Sequence, residues 1–234
     1  MDIPSHPSRA LAVSVACVTF LAAACGVVGA ELRSSHRAAG AEEGPDTGVV
    51  YSVRTTDPVV FLTIDDGAAR SPEMVDVLVD SGISATLFLT DGYVRQDPDF
   101  FRRLSERTGS TIQNHTLDHP DLADEPPDEQ RRQICATSDS YEREFGHRPA
   151  LLRPPYGSFD DHTLRAAQEC GIDEVVHWSA EVREGRMEFA AGDRLRPGDI
   201  VLMHFGEDFA EDVAEFAAQA DRVGLSPALL EDYL

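Results

Sequence analysis

The feature that most constrains the fold is the apolar run at residues 59–64, which ends directly in Asp65, Asp66 and Gly67. Its length and its β-branched residues are typical of a strand that is buried on both faces of a sheet. One carboxylate at the end of such a strand could cap a following helix, but two adjacent carboxylates repel each other. The pair therefore predicts a second partner at this strand end, which could be a cation, an arginine, or both.

Short apolar runs alternate with amphipathic segments along the rest of the chain. The amphipathic segments carry helix boundary signals: Ser71 and Pro72 precede one of them, and Gly82 follows it. This alternation predicts βαβ units around a parallel sheet, either open or closed as a barrel. The predicted strands lie at residues 59–64, 85–89, 110–114, 149–153, 172–178 and 199–205, and the predicted helices at residues 71–82, 97–109, 126–146, 160–171 and 211–224.

Residues with catalytic or ligating side chains collect where the predicted strands stop. In parallel α/β folds, ligands bind outside the carboxyl ends of the strands. We therefore expect one site built from residues of five strand ends, namely Asp65, Asp66, His115, His119, Arg153, Trp178 and His204.

Two histidines with i, i+4 spacing, His115 and His119, follow the third predicted strand. Pro120 disfavours helical geometry at His119, so we expect a tight loop in which the two rings can still converge. Two histidines and one carboxylate form a set that leaves coordination positions open, as catalytic zinc requires. The alternative is a pair of solvated or structural histidines.

The second aspartate needs a different partner, and Arg153 could supply a permanently charged fork for it. His204, at the end of another apolar strand, could protonate a leaving group. The alternatives are a surface arginine with a partly buried stem and a buried histidine with no chemical role.

These motifs resemble, in order, those of polysaccharide deacetylases with a NodB-homology domain, also called carbohydrate esterase family 4, over roughly residues 59–229. The resemblance of "TIDDG" to the first motif implies Asp65 as general base and Asp66 as metal ligand. "HTLDH" fits the second motif and implies His115 and His119 as the other ligands. "RPPYG" resembles the third, which implies that Arg153 orients Asp65.

The same resemblance implies the substrate pocket. The backbone amide of Tyr156 is expected to bind the oxyanion, and Leu202 in "LMH" to line the acetyl pocket, with His204 as the acid. Trp178 is kept from the fourth motif and is expected to contact substrate. The rest of that motif differs, because Glu181 and Glu184 stand where aspartates are usual and a glycine replaces the second tryptophan. These differences are expected to affect rate and substrate choice more than the metal site.

The resemblance implies an α/β fold, a distorted (β/α) barrel with fewer than eight parallel strands. It also implies a divalent metal, usually Zn²⁺, and a polysaccharide substrate. The expected activity is N-deacetylation of N-acetylglucosamine units in cell-wall glycan or a chitin-like polymer. Two alternatives stay open: an O-acetyl esterase of the xylan type, and a carbohydrate-binding protein without turnover on the same scaffold.

The N-terminus predicts export to the outside of the cell. An uncharged apolar run at residues 10–25 has the length of an export-signal core and is short for a membrane span. We assign residues 1–30 to a signal peptide or a membrane or lipid anchor. Cys25 could be lipidated, ordinary cleavage could occur nearby, or the segment could remain as an anchor. Residues 31–48 are polar and unpatterned, which indicates a flexible linker before a domain at residues 49–234.

The net charge of the chain limits which classes of ligand it can bind. The formal net charge of −22 disfavours nucleic acid, which needs a basic face. It is compatible with a neutral or basic sugar polymer, and we expect a monomer.

Beyond the signal, only Cys135 and Cys170 remain. In an oxidising compartment they are a candidate disulfide, and the alternative is two separately buried thiols.

Overall fold

The computed structural model of the chain describes residues 48–234. The predictions for the export segment, for lipidation at Cys25 and for linker residues 31–47 lie outside the described residues. Gly48, which we assigned to the linker, is the first residue of a strand. None of the helices in the described part is long and apolar enough to cross a membrane.

Ten strands form one sheet, in the order β1-β6-β5-β4-β3-β2-β9-β7-β8, and β10 pairs with β2 outside this path. The described pairs are parallel except for the β7–β8 hairpin. The strands are β1 (Gly48–Val50), β2 (Val59–Asp66), β3 (Thr86–Leu89), β4 (Thr111–Asn114), β5 (Leu151–Leu152), β6 (Glu174–Val176), β7 (Ala180–Arg183), β8 (Arg186–Phe189), β9 (Ile200–His204) and β10 (Ser226–Ala228).

The six strands predicted from the sequence are the uninterrupted centre of this sheet, β6-β5-β4-β3-β2-β9. With helices packed around it, the sheet is a half-barrel of parallel strands, so the predicted α/β class and distorted barrel are confirmed. The sequence did not predict the short strands β1 and β10 or the β7–β8 hairpin. The predicted strands β3 to β6 are just as short but lie in mostly buried apolar runs, whereas these segments are only partly buried and lack such a run.

All five predicted helices are present. Several begin at a proline, which suits the first turn because the amide there has no partner within the helix. These helices end before a glycine with positive φ, such as Gly82 (66°) and Gly146 (79°). The helices are α1 (Pro72–Ser81), α2 (Asp91–Val94, not predicted), α3 (Pro98–Thr108), α4 (Pro127–Phe145), α5 (Asp161–Glu169) and α6 (Phe209–Val223). Single 3₁₀ turns lie at Leu122–Asp124, Pro155–Gly157 and Leu230–Asp232.

Strand β2 is buried on both faces, as its composition predicts. Leu62 and Ile64 belong to the main core with residues of the outer helices, such as Leu78 and Phe216. Phe61, on the other face, belongs to the core inside the half-barrel. The carboxyl end of β2 is therefore held firmly from both sides, which fixes the position of the residues that follow.

Cys135 in α4 and Cys170 after α5 form a disulfide, the pairing that the sequence predicts, with Cα atoms 4.8 Å apart. Helix α4 also holds the loop after β4, because Gln133 Oε1 accepts hydrogen bonds from the amides of Leu117 and Asp118, each at 3.0 Å. The disulfide thus braces a helix that positions the two histidines of the candidate site.

Candidate metal centre and active site

The residues predicted to act together lie around one cleft at the carboxyl edge of the sheet. The register of the parallel strands explains this, because Asp65 in β2 pairs with His204 in β9 on one side and with Phe88 in β3 on the other. The cleft is lined by Asp65, Asp66, His115, His119, Pro154, Tyr156, Trp178, Glu181, Leu202 and His204. Arg153 lies directly beneath it and is fully buried.

Three ligand atoms converge in this cleft. Asp66 Oδ1 lies 3.3 Å from His115 Nε2 and 3.1 Å from His119 Nε2. The three ligand atoms all lie within 4.8 Å of one another. Within the described residues, Asp66 Oδ1 is buried without a well-aligned hydrogen-bond donor. A buried carboxylate oxygen in this state costs free energy unless a cation satisfies it, so the donor set fits a divalent metal.

The orientation of His115 supports the same assignment. Its Nδ1 lies 2.6 Å from the carbonyl oxygen of Arg153, and a carbonyl can only accept a hydrogen bond. Nδ1 of the neutral ring therefore carries the proton, and the lone pair of Nε2 points at Asp66. A backbone carbonyl that fixes the tautomer of a ligand histidine is a recurrent feature of metal sites.

The electrostatics of the cluster favour a cation. Burial alone would raise the pKa of Asp66, but in the metal-free protein the positively charged forms of the two neighbouring imidazoles hold it well below its ordinary value. Burial opposes a charge on His115, yet the carboxylates of Asp65 and Asp66 raise the pKa of this imidazole. The two aspartates thus create a negative environment that attracts protons or a metal ion.

The loop that carries the histidines is tight rather than helical, as Pro120 predicts. Thr116 and His119 have positive φ angles of 68° and 62°. Asn114 Oδ1 accepts from the amide of Thr116 at 2.9 Å, and Thr116 Oγ1 accepts from the amide of His119 at 3.1 Å. These side-chain bonds stabilise strained backbone, which is common where a loop must place ligands.

Asp65 is held by Arg153 from below. Arg153 Nη1 donates to Asp65 Oδ1 at 2.8 Å and to Thr63 Oγ1 at 2.7 Å. Its other donors bind the carbonyls of Val176 and His177. The alternative of a surface arginine is wrong, because the side chain is wholly buried.

Adjacent residues of a strand normally point to opposite faces of the sheet. Asp66 has a φ of 74°, which breaks this alternation and lets both carboxylates line one cleft. Asp65 Oδ2 lies only 3.8 Å from His115 Nε2, so the second aspartate stands beside the ligand set.

The predicted substrate-binding residues complete the walls of the cleft. Tyr156 has a φ of 60°, is 71% exposed, and its ring lies 4.8 Å from that of His119. The hydrogen bonds of its turn are donated by Gly157 and Ser158, which leaves the amide of Tyr156 outside the turn. Leu202 and Trp178 lie on the walls of the cleft, as predicted.

The two glutamates of the altered fourth motif lie in different places in the fold. Glu181 in β7 lines the cleft. Glu184 does not line it, because Glu184 and Gly185 form the β7–β8 turn with positive φ angles of 54° and 67°. Gly185 donates a hydrogen bond to Asp212 in α6 at 2.8 Å. Positive φ at both central residues is the geometry of a type I′ hairpin turn, and glycine adopts it at the second position without strain.

His177 is a site residue that sequence reasoning missed. It is 8% exposed, its carbonyl accepts from Arg153, and its ring stacks on Trp178 with centroids 5.4 Å apart. Burial and the charge of Arg153 lower the pKa of His177 to about 4. The only available signal was its position at a strand end beside Trp178.

The lowered pKa of His177 predicts a pH-dependent stability. The unfolded chain takes up a proton at this residue near pH 6.5, and the folded protein only near pH 4. Stability should therefore fall by about 2–3 kcal/mol as pH drops through this interval. His177→Phe should remove that part of the slope, because phenylalanine has no titratable group. The substitution breaks no hydrogen bond of the buried Nε2, which has no partner in the described residues.

Urea unfolding of metal-free wild type and variant at a series of pH values measures this difference. His162→Gln, at an exposed position, is the control and should keep the wild-type slope. Equal pH slopes for wild type and His177→Phe would show that His177 does not titrate as described.

Known proteins are similar to this chain in sequence. A profile of the polysaccharide deacetylase family matches residues 52–175. The uncharacterized protein SCO4760 of Streptomyces coelicolor is 42% identical over 195 residues, which cover 80% of this chain and 77% of that protein. The chitooligosaccharide deacetylase of Sinorhizobium fredii is 31% identical over 181 residues, with 70% and 81% covered.

A solved structure agrees in fold. The crystal structure of the Bc1960 peptidoglycan N-acetylglucosamine deacetylase superposes with a TM-score of 0.70 at 26% identity, covering 81% of this chain and 94% of that one. The fold, the ordered motifs and these similarities lead to one conclusion. The chain belongs to the polysaccharide deacetylase family, carbohydrate esterase family 4.

Proposed function

We propose that this protein is an exported, Zn²⁺-dependent hydrolase that removes acetyl groups from N-acetylglucosamine units of cell-wall glycan or a chitin-like polymer. The observation that carries the proposal is the Asp66–His115–His119 cluster beside the buried Asp65–Arg153 pair. Chitooligosaccharide and peptidoglycan deacetylases among the similar proteins support the substrate class. The apolar N-terminal run supports export.

The donor set favours zinc. Two imidazole nitrogens and one carboxylate oxygen suit Zn²⁺ better than Mg²⁺ or Ca²⁺, which prefer oxygen ligands. Asp66, His115 and His119 would hold the ion and leave positions open toward the cleft. When bound, it supplies Lewis-acid polarisation of the acetyl carbonyl.

The protein's own residues divide the remaining work. Asp65, oriented by Arg153, accepts a proton from the attacking water as the water oxygen bonds to the acetyl carbon. The amide of Tyr156 stabilises the oxyanion. The C–N bond then breaks, acetate is released, and His204 donates a proton to the departing amine. Leu202 lines the acetyl pocket, and Trp178 contacts the sugar.

An O-acetyl esterase is the second candidate, and one observation favours it. Within the described residues, His204 has no ion pair with a carboxylate, and Glu184 lies in the hairpin turn rather than in the cleft. An alcohol leaves more easily than an amine, so ester hydrolysis depends less on a strongly supported general acid.

The first prediction for this function concerns Asp65. Asp65→Asn should reduce acetate release at least about 100-fold, because it removes the general base. Release is measured on zinc-loaded full-length protein from N-acetylglucosamine oligomers and acetylated xylan in parallel. Asp80→Asn, an exposed change in α1, is the control. Preference for xylan would favour the esterase, and a zinc-loaded wild type that releases nothing would favour the binding protein.

A second prediction concerns the ligand set. His119→Ala should bind Zn²⁺ more than about 100-fold more weakly, since even the loss of an outer-shell partner costs 10–100-fold. Equilibrium dialysis against Zn²⁺ followed by elemental analysis measures this. His162→Ala, at an exposed site, should bind like wild type. Full zinc occupancy in His119→Ala would contradict the assignment.

A third prediction separates amide from ester chemistry. His204→Ala should lower kcat on an N-acetyl substrate by about 10²–10⁴-fold and lower it much less on an aryl acetate. The reason is that an amine leaves only after protonation, whereas an aryl alcohol does not need it. If the amide reaction were impaired no more than the ester reaction, His204 would not be the acid.

A further inference from the structure

The carboxyl edge of the sheet continues past the candidate active site. Strand β1 pairs in parallel with β6, and Val50 is in register with Val176. The next residues, Tyr51 and His177, therefore lie side by side at the same edge that carries the catalytic cleft. His177 donates its amide to the carbonyl of Val50 at 2.7 Å, which fixes this arrangement.

Aromatic rings cover this part of the edge without a gap. We call Trp178, His177 and Tyr51 the aromatic strip. The Trp178 and His177 rings stack with centroids 5.4 Å apart at 12°, and the His177 and Tyr51 rings are 4.6 Å apart. Trp178 lines the catalytic cleft, so the strip begins inside the cleft and ends at Tyr51 outside it.

The base of the strip is rigid and uncharged at neutral pH. His177 is buried, and the nearby charge of Arg153 keeps its ring neutral. Gly157 packs so closely that a Cβ there would lie 2.9 Å from His177 Cε1 and 3.2 Å from Trp178 Cη2. The ring of Phe159 also contacts His177, with centroids 5.3 Å apart.

The outer end of the strip is open to solvent. Tyr51 is 51% exposed, and among the described residues it is one of four large apolar side chains classed as exposed. A second one, Tyr156 at 71%, lies at the mouth of the catalytic cleft. One exposed tyrosine needs no explanation, but an exposed ring supported by a packed aromatic stack adjoining a catalytic cleft is a preformed binding surface.

We propose that the aromatic strip extends the cleft into a second sugar subsite, in which the exposed ring of Tyr51 binds the apolar face of the pyranose ring next to the unit being deacetylated. The occupant is an N-acetylated hexose of the same polymer chain. This inference rests on the proposed function, because it takes the glycan to be the ligand of the adjoining cleft.

The chemistry of the strip selects such a ligand. A pyranose ring presents a face of C–H groups that packs on a flat aromatic ring, and tyrosine offers a large rigid surface at low entropic cost. A neutral sugar also suits a protein with a formal charge of −22, which would repel an anionic chain.

The single tryptophan of the chain gives a direct readout. Because Trp178 is the only tryptophan, tryptophan fluorescence reports on ligand binding where the strip meets the catalytic cleft, and the Tyr51 variants isolate the contribution of the strip. Titration of metal-free full-length protein with tetra-N-acetylchitotetraose should change this fluorescence. Tyr51→Ala should weaken the affinity about two- to tenfold, the range expected for one lost aromatic contact, and Tyr51→Phe should retain it.

Turnover of the zinc-loaded enzyme tests the same point by substrate length. For Tyr51→Ala, the ratio of kcat/KM on the tetramer to kcat/KM on 4-nitrophenyl acetate should fall about two- to tenfold, mainly through KM. Val79→Ala, an exposed apolar change in α1, is the control and should keep the wild-type ratio.

Three results would overturn the subsite. The first is a Tyr51→Ala variant that binds the tetramer as tightly as wild type does. The second is a wild-type protein whose fluorescence does not change when the tetramer is added. The third is an equal loss of kcat/KM on the tetramer and on 4-nitrophenyl acetate, which would make Tyr51 merely structural. Tyr51-dependent binding by a zinc-loaded enzyme without turnover would instead support the subsite and refute the proposed hydrolase.

Discussion

The buried guanidinium of Arg153 is the constraint on which the site depends. A charge that is wholly removed from water is costly unless it is paired and its donors are satisfied. Here the pair is Asp65, and the other donors bind Thr63 and the carbonyls of Val176 and His177. These partners lie in or just after β2 and β6, whereas Arg153 follows β5, so satisfying one side chain fixes three strand ends relative to one another.

The same residue organises the metal side of the cleft. The carbonyl of Arg153 sets the tautomer of His115, and its side chain holds Asp65. The charge of Arg153 also helps to keep His177 neutral, which lets that ring pack as an aromatic beneath Tyr51. The proposed base, the candidate ligand His115 and the aromatic surface are thus coupled through one buried cation, and a change at Arg153 would disturb all of them.

Much of this could be predicted because it is local in sequence. Each motif follows a strand signal, and parallel strands bring their carboxyl ends to one edge, so the candidate metal ligands, the proposed base and the arginine could be grouped from the sequence. The hairpin, the short edge strands and His177 could not be found in this way. These segments lack a buried apolar run that would identify them in the sequence. The family motif suggested a place for Glu184 near the site, but the structure places it in the β7–β8 turn.

By itself, the sequence determined the six central strands and five of the helices, the family motifs and the identity of the residues that could bind metal. These follow from hydrophobic periodicity, helix boundary residues and the chemistry of carboxylates and imidazoles. Only the tertiary structure decided that Asp66 departs from strand alternation, that Glu181 rather than Glu184 enters the cleft, and that Tyr51 stands beside His177. Those outcomes depend on backbone angles and on pairing between β1 and β6, segments more than 120 residues apart, and no local pattern encodes such a pairing.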